Sequence, residues 1–207
     1  MSNDVFVYDT SQAVHKPIET KQEIPIGKLV PADSPILSEV MPEYVFTVVE
    51  DSDAIASMLV ETCKKHNGLG LSANQIGIRA RVFVMGSGDN FISCFNPKVI
   101  STEGENHMPE GCLSFPLLQL NITRPKTITV EYQDWTGEKH TNTFSGLTAR
   151  IFLHELDHMN GIVYTTRAKP LALQSGFKKV EKTKRKYFEQ VMKQAKNGQE
   201  KRNTGYR

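Results

Sequence analysis

Apolar residues recur at helical spacing in three stretches of the chain and at alternating spacing between them. In the first stretch Ile55, Met58, Leu59 and Cys63 share one helical face. Asp51 or Ser52 can cap its start, and Asn67-Gly68 can stop it. The period then falls to two. Arg81–Met85 and Phe91–Phe95 read as strands joined by the Gly-Ser-Gly-Asp turn at 86–89, with a bend at Asn96-Pro97. Leu118, Leu120 and Ile122 alternate, as do Ile128, Val130 and Tyr132, and Trp135-Thr136-Gly137 turns the chain into a return strand ending at Phe144. These segments predict an antiparallel meander. Helical spacing returns over Leu147–Met159, closed by Asn160-Gly161, and again from Leu171 or Ser175 to Lys196, where Phe177, Val180, Phe188, Val191 and Met192 form an apolar stripe among lysines. Pro31, Pro35 and Pro42 make the segment before the first helix a loop-rich lead-in. Helix, then strands, then helices is the order of an α+β fold.

Composition narrows the class. The 207 residues, 39% of them hydrophobic, suffice for one core with appendages. No apolar run approaches the ~18 residues that span a bilayer, and the first residues lack the basic and apolar regions of a secretory signal. Three cysteines are too few for a disulfide scaffold, so the expectation is a cytoplasmic protein with no membrane partner. Residues 1–26 are expected to be an extension; they lack arginine and contain Asp4, Asp9, Glu19 and Glu23, unlike a transit peptide. A net charge of +2 argues against a dedicated DNA binder, but it hides a split. Residues 175–207 hold eleven Lys and Arg against three Glu, a net of +8; with 25 basic and 23 acidic residues in all, the first 174 carry 14 minus 20, or −6.

The chemistry concentrates in three segments. His154-Glu155-Leu156-Asp157-His158 is an H-E-x-x-H string in a predicted helix, and residues four apart share a face, so both imidazoles can reach one metal ion while Glu155 approaches a metal-bound water. A charged helix face is the alternative. A two-histidine site needs a third ligand. No histidine follows His158, whereas Cys112, in Glu110-Gly111-Cys112-Leu113-Ser114, lies in a glycine-containing turn before the alternating strands and offers a soft thiolate, the alternative being a buried, inert cysteine. Cys63 and Cys94 read as core residues. The third segment, Gly68-Leu69-Gly70-Leu71-Ser72-Ala73-Asn74-Gln75, lacks the spacing of a nucleotide-binding loop and reads as a strand edge where a peptide backbone can approach. Gln75 can present an amide N–H to an oxyanion.

Together, GLGLSANQ (68–75), EGCLS (110–114) and HELDH (154–158) resemble, in order, the three sequence blocks of the peptide deformylases. Ile76-Gly77, Asn96-Pro97, Phe115-Pro116, Arg124-Pro125 and Gly161 agree with that family too, over roughly residues 27–165. The resemblance implies antiparallel sheets packed around a central helix carrying the HExxH motif, followed by a C-terminal helix. It implies one divalent metal ion on Cys112, His154 and His158, with Fe(II) expected and Zn(II) or Ni(II) also suited to the ligands. Glu155 would act as general acid and base on a metal-bound water, and the Leu113 N–H with the Gln75 amide would hold the formyl oxygen. Gly68, Leu69 and Gly70 would pair with the substrate backbone. The reaction implied is removal of the N-formyl group from N-formylmethionyl nascent peptides, with release of formate.

Similar proteins also suggest that Glu110 and Asp157 flank Arg124 and tie the cysteine turn to the metal helix. Three departures stand out. Ser72 replaces the usual Ala, Leu153 replaces the usual Gln before the first histidine, and Leu117-Leu118-Gln119 is an apolar border to the expected methionine pocket. The chain thus divides into the extension (1–26), a catalytic domain (27–174) and a basic helix and tail (175–207), the last either a solvated helix end or a contact to ribosomal RNA. A zinc endopeptidase or another amide hydrolase, and a catalytically idle binding module, are the competing classes. The first lacks a third ligand downstream of HExxH, and the second is disfavoured because every catalytic residue type is present.

Overall fold

Two antiparallel sheets and three helices organise the computed structural model, which describes residues 25–204. The extension expected over 1–26 lies outside the described residues except for Pro25 and Ile26. A five-stranded sheet has the order β1 (Gly70–Ser72), β2 (Val82–Ser87), β3 (Asn90–Glu103), β6 (Thr127–Gln133), β7 (Lys139–Ser145). A separate two-stranded sheet is formed by β4 (Asn106–Cys112) and β5 (Phe115–Arg124). Helices α1 (Val49–Lys65), α2 (Gly146–Met159) and α3 (Pro170–Thr204) complete the α+β fold.

Alternation along β2 explains the layering. Val82 and Val84 face α1 and pack with Leu59, Val60 and Cys63, while Phe83 and Met85 face α2 and pack with Phe152, Leu156 and Met159. The sheet is therefore buried on both faces at β2, whereas β7 leaves one face to solvent, and α2 lies against the sheet through an edge-to-face pair of Phe83 and Phe152 with ring centroids 5.1 Å apart. A third cluster, Leu118, Leu120, Ile122, Tyr164 and Val180, seals β5 beneath α3.

Several expectations need correction. The predicted meander is split between sheets: β6 pairs with β3 and β7, whereas among the described residues β5 pairs with β4 alone. Strand β4, Asn-His-Met-Pro-Glu-Gly-Cys, carries no alternating apolar signal, because Pro and Gly are tolerated in an edge strand, which is paired along one side by β5. Cys112 consequently ends a strand rather than sitting in a turn before one. Asn96-Pro97 is not a terminus but an irregularity inside the 14-residue β3, with Asn96 at φ +51°. Helix α1 begins before Asp51 and Ser52, at an N-cap Val48 with no side-chain cap; the Ser52 hydroxyl instead donates to the Trp135 carbonyl at 2.6 Å. Helix α3 is continuous from Pro170, so residue 175 falls within it. It packs on the domain as far as Val180, and from there Tyr187, Phe188, Val191 and Met192 extend the same stripe exposed. No helix among the described residues is long and apolar enough to cross a membrane.

The end of α2 is held by the lead-in. Met41 N–H donates to the Met159 carbonyl at 2.9 Å, and Gly161 turns the chain at φ +67° directly over Ser38. A Cβ at Gly161 would stand 2.7 Å from the Ser38 carbonyl oxygen. Gly161→Ala should therefore destabilise the fold by about 1–3 kcal/mol, read as a lowered urea midpoint with an unchanged m-value.

Candidate metal and catalytic centre

Helix α2 is amphipathic in an unusual way, since beside its apolar face it buries His154, Glu155, Asp157 and His158. The two histidines, one turn apart, have ring centroids 5.2 Å apart. The β4–β5 hairpin brings Cys112 to them, with Sγ 3.3 Å from His158 Nε2. One donor atom from each of Cys112, His154 and His158 falls within 4.8 Å of the others. Glu110 Oε1 lies 2.7 Å from His154 Nδ1, which leaves Nε2 as the ring nitrogen free for a ligand.

This donor set fits a divalent cation. Two imidazoles and a thiolate are a three-ligand base of the kind that leaves further positions open. The electrostatics agree. Burial lowers the pKa of His154, but hydrogen bonds to Cys112 and Glu110 outweigh it and raise the group to about 10, so between sulfur and carboxylate His154 holds a proton that a bound cation would displace. His158, lowered by burial and by neighbouring His154, stays neutral as a ligand must.

Around the ligands runs a buried ionic cluster. Arg124 grips Glu110 through Nε and Nη2 at 2.8 and 2.6 Å and reaches Asp157 Oδ2 through Nη1 at 2.8 Å. Burial opposes ionisation of Glu110, yet its bonds to Arg124 and His154 hold its carboxyl far below the usual carboxylate range. Two members escape a reading of the sequence. Arg150, one turn before His154, donates to Glu110 Oε2 at 2.9 Å, and Arg167 pairs with Asp157. Their helical offset and their charge after the motif were visible, but nothing in the sequence gives their direction.

On the other side, β1 forms the edge of the large sheet, with one side bonded to β2. Gly68, Leu69 and Gly70 line a cavity of about 530 Å³ together with Leu113, Cys112 and Glu155. Gln75 follows β1; its Oε1 accepts from Ser72 N–H at 2.9 Å, and its Nε2 lies 3.3 Å from Cys112 Sγ and 3.0 Å from Ser114 Oγ. Glu155 is buried, and burial raises its pKa, opposed by His154 and by a hydrogen bond from Ser72. Of the stretch after Phe115-Pro116, Leu117 stands at the cavity rim, 60% exposed, while Leu118 is buried under α3.

Residues 26–174 match the family model described as polypeptide deformylase. The chain belongs to the peptide deformylase family. It is 37% identical to peptide deformylase 2 of Clostridium acetobutylicum over 127 residues, covering 61% of this chain and 81% of that one. It is 36% identical to the peptide deformylase of Carboxydothermus hydrogenoformans over 143 residues, 69% of this chain and 93% of the relative. The crystal structure of a peptide deformylase from Legionella pneumophila superposes with a TM-score of 0.71 at 31% identity, covering 78% of this chain and 96% of that one. Deformylases are hydrolases that process protein N-termini, so the chain is an enzyme of this class and not an unrelated endopeptidase.

The pH dependence of stability follows from Glu110. Because its folded pKa is depressed, its contribution is complete above its unfolded pKa and is lost as pH falls towards the folded value. Between pH 5 and 3, urea titrations should show the parent losing about 1–2 kcal/mol more than Glu110→Gln; parallel losses would contradict the ionic role.

Proposed function

We propose that the chain hydrolyses the N-formyl group of N-formylmethionyl nascent peptides in the cytoplasm, releasing formate and a free amino terminus. The observation that carries this reading is the convergence of Cys112, His154 and His158 donors within 4.8 Å, beside Glu155, in a cavity walled by the Gly68–Gly70 edge. Cys112, His154 and His158 would hold one divalent cation. Such a cation supplies Lewis-acid polarisation of the carbonyl and acidifies water. Fe(II) is the expectation from the family resemblance, and the sulfur and imidazole donors suit Zn(II) or Ni(II) as well.

The chain's own groups divide the remaining work. The free edge of β1 pairs with the substrate backbone, holding the formyl group over Glu155. Glu155, made more basic by burial, takes a proton from the attacking water. As the formyl oxygen becomes anionic, Gln75 Nε2 and the Leu113 N–H donate to it, and each such donor is worth about 10²- to 10³-fold in rate. The C–N bond then breaks, Glu155 returns the proton to the departing amine, and formate leaves. Glu110, Arg124 and Asp157 keep His154 and the Cys112 hairpin oriented.

The domain division also enters here: residues 27–174 carry catalysis, and the basic segment from 175 contacts ribosomal RNA, where the substrate emerges. Its exposed Lys178, Lys179, Lys182, Lys184, Arg185 and Lys186 support that reading.

Two experiments test these assignments. Anaerobically purified protein loaded with Fe(II), Ni(II) or Zn(II) should release formate from formyl-Met peptides, and Glu155→Ala should lower kcat by at least about 10³-fold while retaining metal; no formate with any of these metals defeats the proposal. Truncation after residue 183, beyond the packed Val180, should abolish salt-sensitive cosedimentation with ribosomes and leave tripeptide turnover intact. Cosedimentation that survives truncation defeats the ribosome contact.

A further inference from the structure

Ser72 ends β1 with no exposed surface, between the two polar groups that the proposed reaction uses. Its backbone N–H accounts for one of them. By donating to Gln75 Oε1 at 2.9 Å, it sets which way the amide is turned, so that Nε2 lies on the Cys112 side. Any residue would offer that N–H. The side chain does something that only a hydroxyl can, since its Oγ lies 2.5 Å from Glu155 Oε2. The Glu155 carbonyl oxygen is also in range at 3.3 Å. A hydroxyl has one hydrogen to give, and the shorter, charge-assisted contact takes it while Glu155 is ionised.

The two carboxylate oxygens of Glu155 thereby become inequivalent. Oε2 is tied to β1. Oε1 lies against Gly70, where an added Cβ would come within 2.5 Å of it, so the bare α-carbon of Gly70 is what gives this oxygen its place at the cavity. The terminal torsion of a glutamate is broad and nearly two-fold, so an untethered carboxylate can exchange its oxygens and tilt its plane. Among the described residues, Ser72 supplies the hydrogen bond to this carboxylate.

We propose that the Ser72 hydroxyl is a positioning residue for the deformylation step, pinning Glu155 Oε2 so that Oε1 is the oxygen presented to the attacking water and the departing amine. The inference rests on the reading of Glu155 as the proton carrier. Ser72 itself touches no reacting atom. Its contribution is orientation, which acts on the chemical step and not on the affinity of the β1 edge for the peptide.

The test compares the full-length parent with Ser72→Ala, Ser72→Thr, Ser72→Cys and Glu155→Ala, each loaded anaerobically with Ni(II), for metal content, thermal midpoint, kcat and KM on a formyl-Met tripeptide. Ser72→Ala should keep its metal and a KM within about twofold, and lose about tenfold in kcat. Ser72→Thr, which restores the hydroxyl, should recover most of that loss. Should the added methyl prevent folding, Ser72→Cys, with its weak donor, should fall between parent and Ala. An unchanged kcat in Ser72→Ala beside an inactive Glu155→Ala overturns the positioning role and leaves the Glu155 reading intact. Loss of metal, or kcat and KM changing together without recovery in Thr or Cys, overturns it as a structural effect. Formate release by Glu155→Ala removes the Glu155 reading, and the proposal with it.

Discussion

The buried carboxylate of Glu110 is the point on which the molecule's two halves meet. It accepts from Arg124 on its own small sheet and from Arg150 on α2, and it orients the ring of His154. A carboxylate this deep would be strongly disfavoured alone, and two guanidinium groups and an imidazole make it stable in the charged form. Beside that cluster, the β4–β5 hairpin is fixed by its apolar Leu118–Leu120–Ile122 underside and, at its tip, by Leu113 packing and the Gln75–Ser114 hydrogen bond. Cys112 sits two residues beyond Glu110, so the ionic contact that docks the hairpin also sets where the sulfur goes.

The same constraint explains why α2 is built as it is. A central helix packed on a sheet would ordinarily bury apolar side chains alone, and here Phe152, Leu156 and Met159 do so against Phe83 and Met85. On another face, His154, Asp157 and His158 are withdrawn from water. Asp157 is matched by Arg124 and Arg167, and His154 by Glu110. Polar groups buried with partners raise the cost of every alternative arrangement, so the helix has one register against the hairpin.

Glu155 occupies the seam between these parts. It leaves α2 towards β1, where Ser72 and the open side of Gly70 receive its two oxygens. The peptide-binding edge, the amide of Gln75 and the proton-carrying carboxylate are therefore neighbours through a three-residue strand. Residues distant in the chain, 72 and 155, form one unit because β1 is the edge of the sheet that α2 covers.

Much of this was legible before the fold. Helical spacing marked α1, α2 and α3; alternation and turn residues marked β2, the first part of β3, β5, β6 and β7; and the three motif blocks carried the ligands, Glu155 and Gln75. The α+β class followed from their order. Strand β4 was invisible because an edge strand rich in Pro and Gly has no apolar period. The meander was wrongly joined because alternation reports a strand's faces and not its neighbours. Local chemistry is written in residue type and spacing, so the sequence by itself determined which groups could bind a metal, carry a proton or hold an oxyanion. Only the tertiary structure decided that Arg150 and Arg167 join Glu110 and Asp157, and that the Ser72 hydroxyl reaches Glu155. Those pairings depend on the direction of side chains across elements far apart in the chain, and long-range packing, not local periodicity, sets that direction.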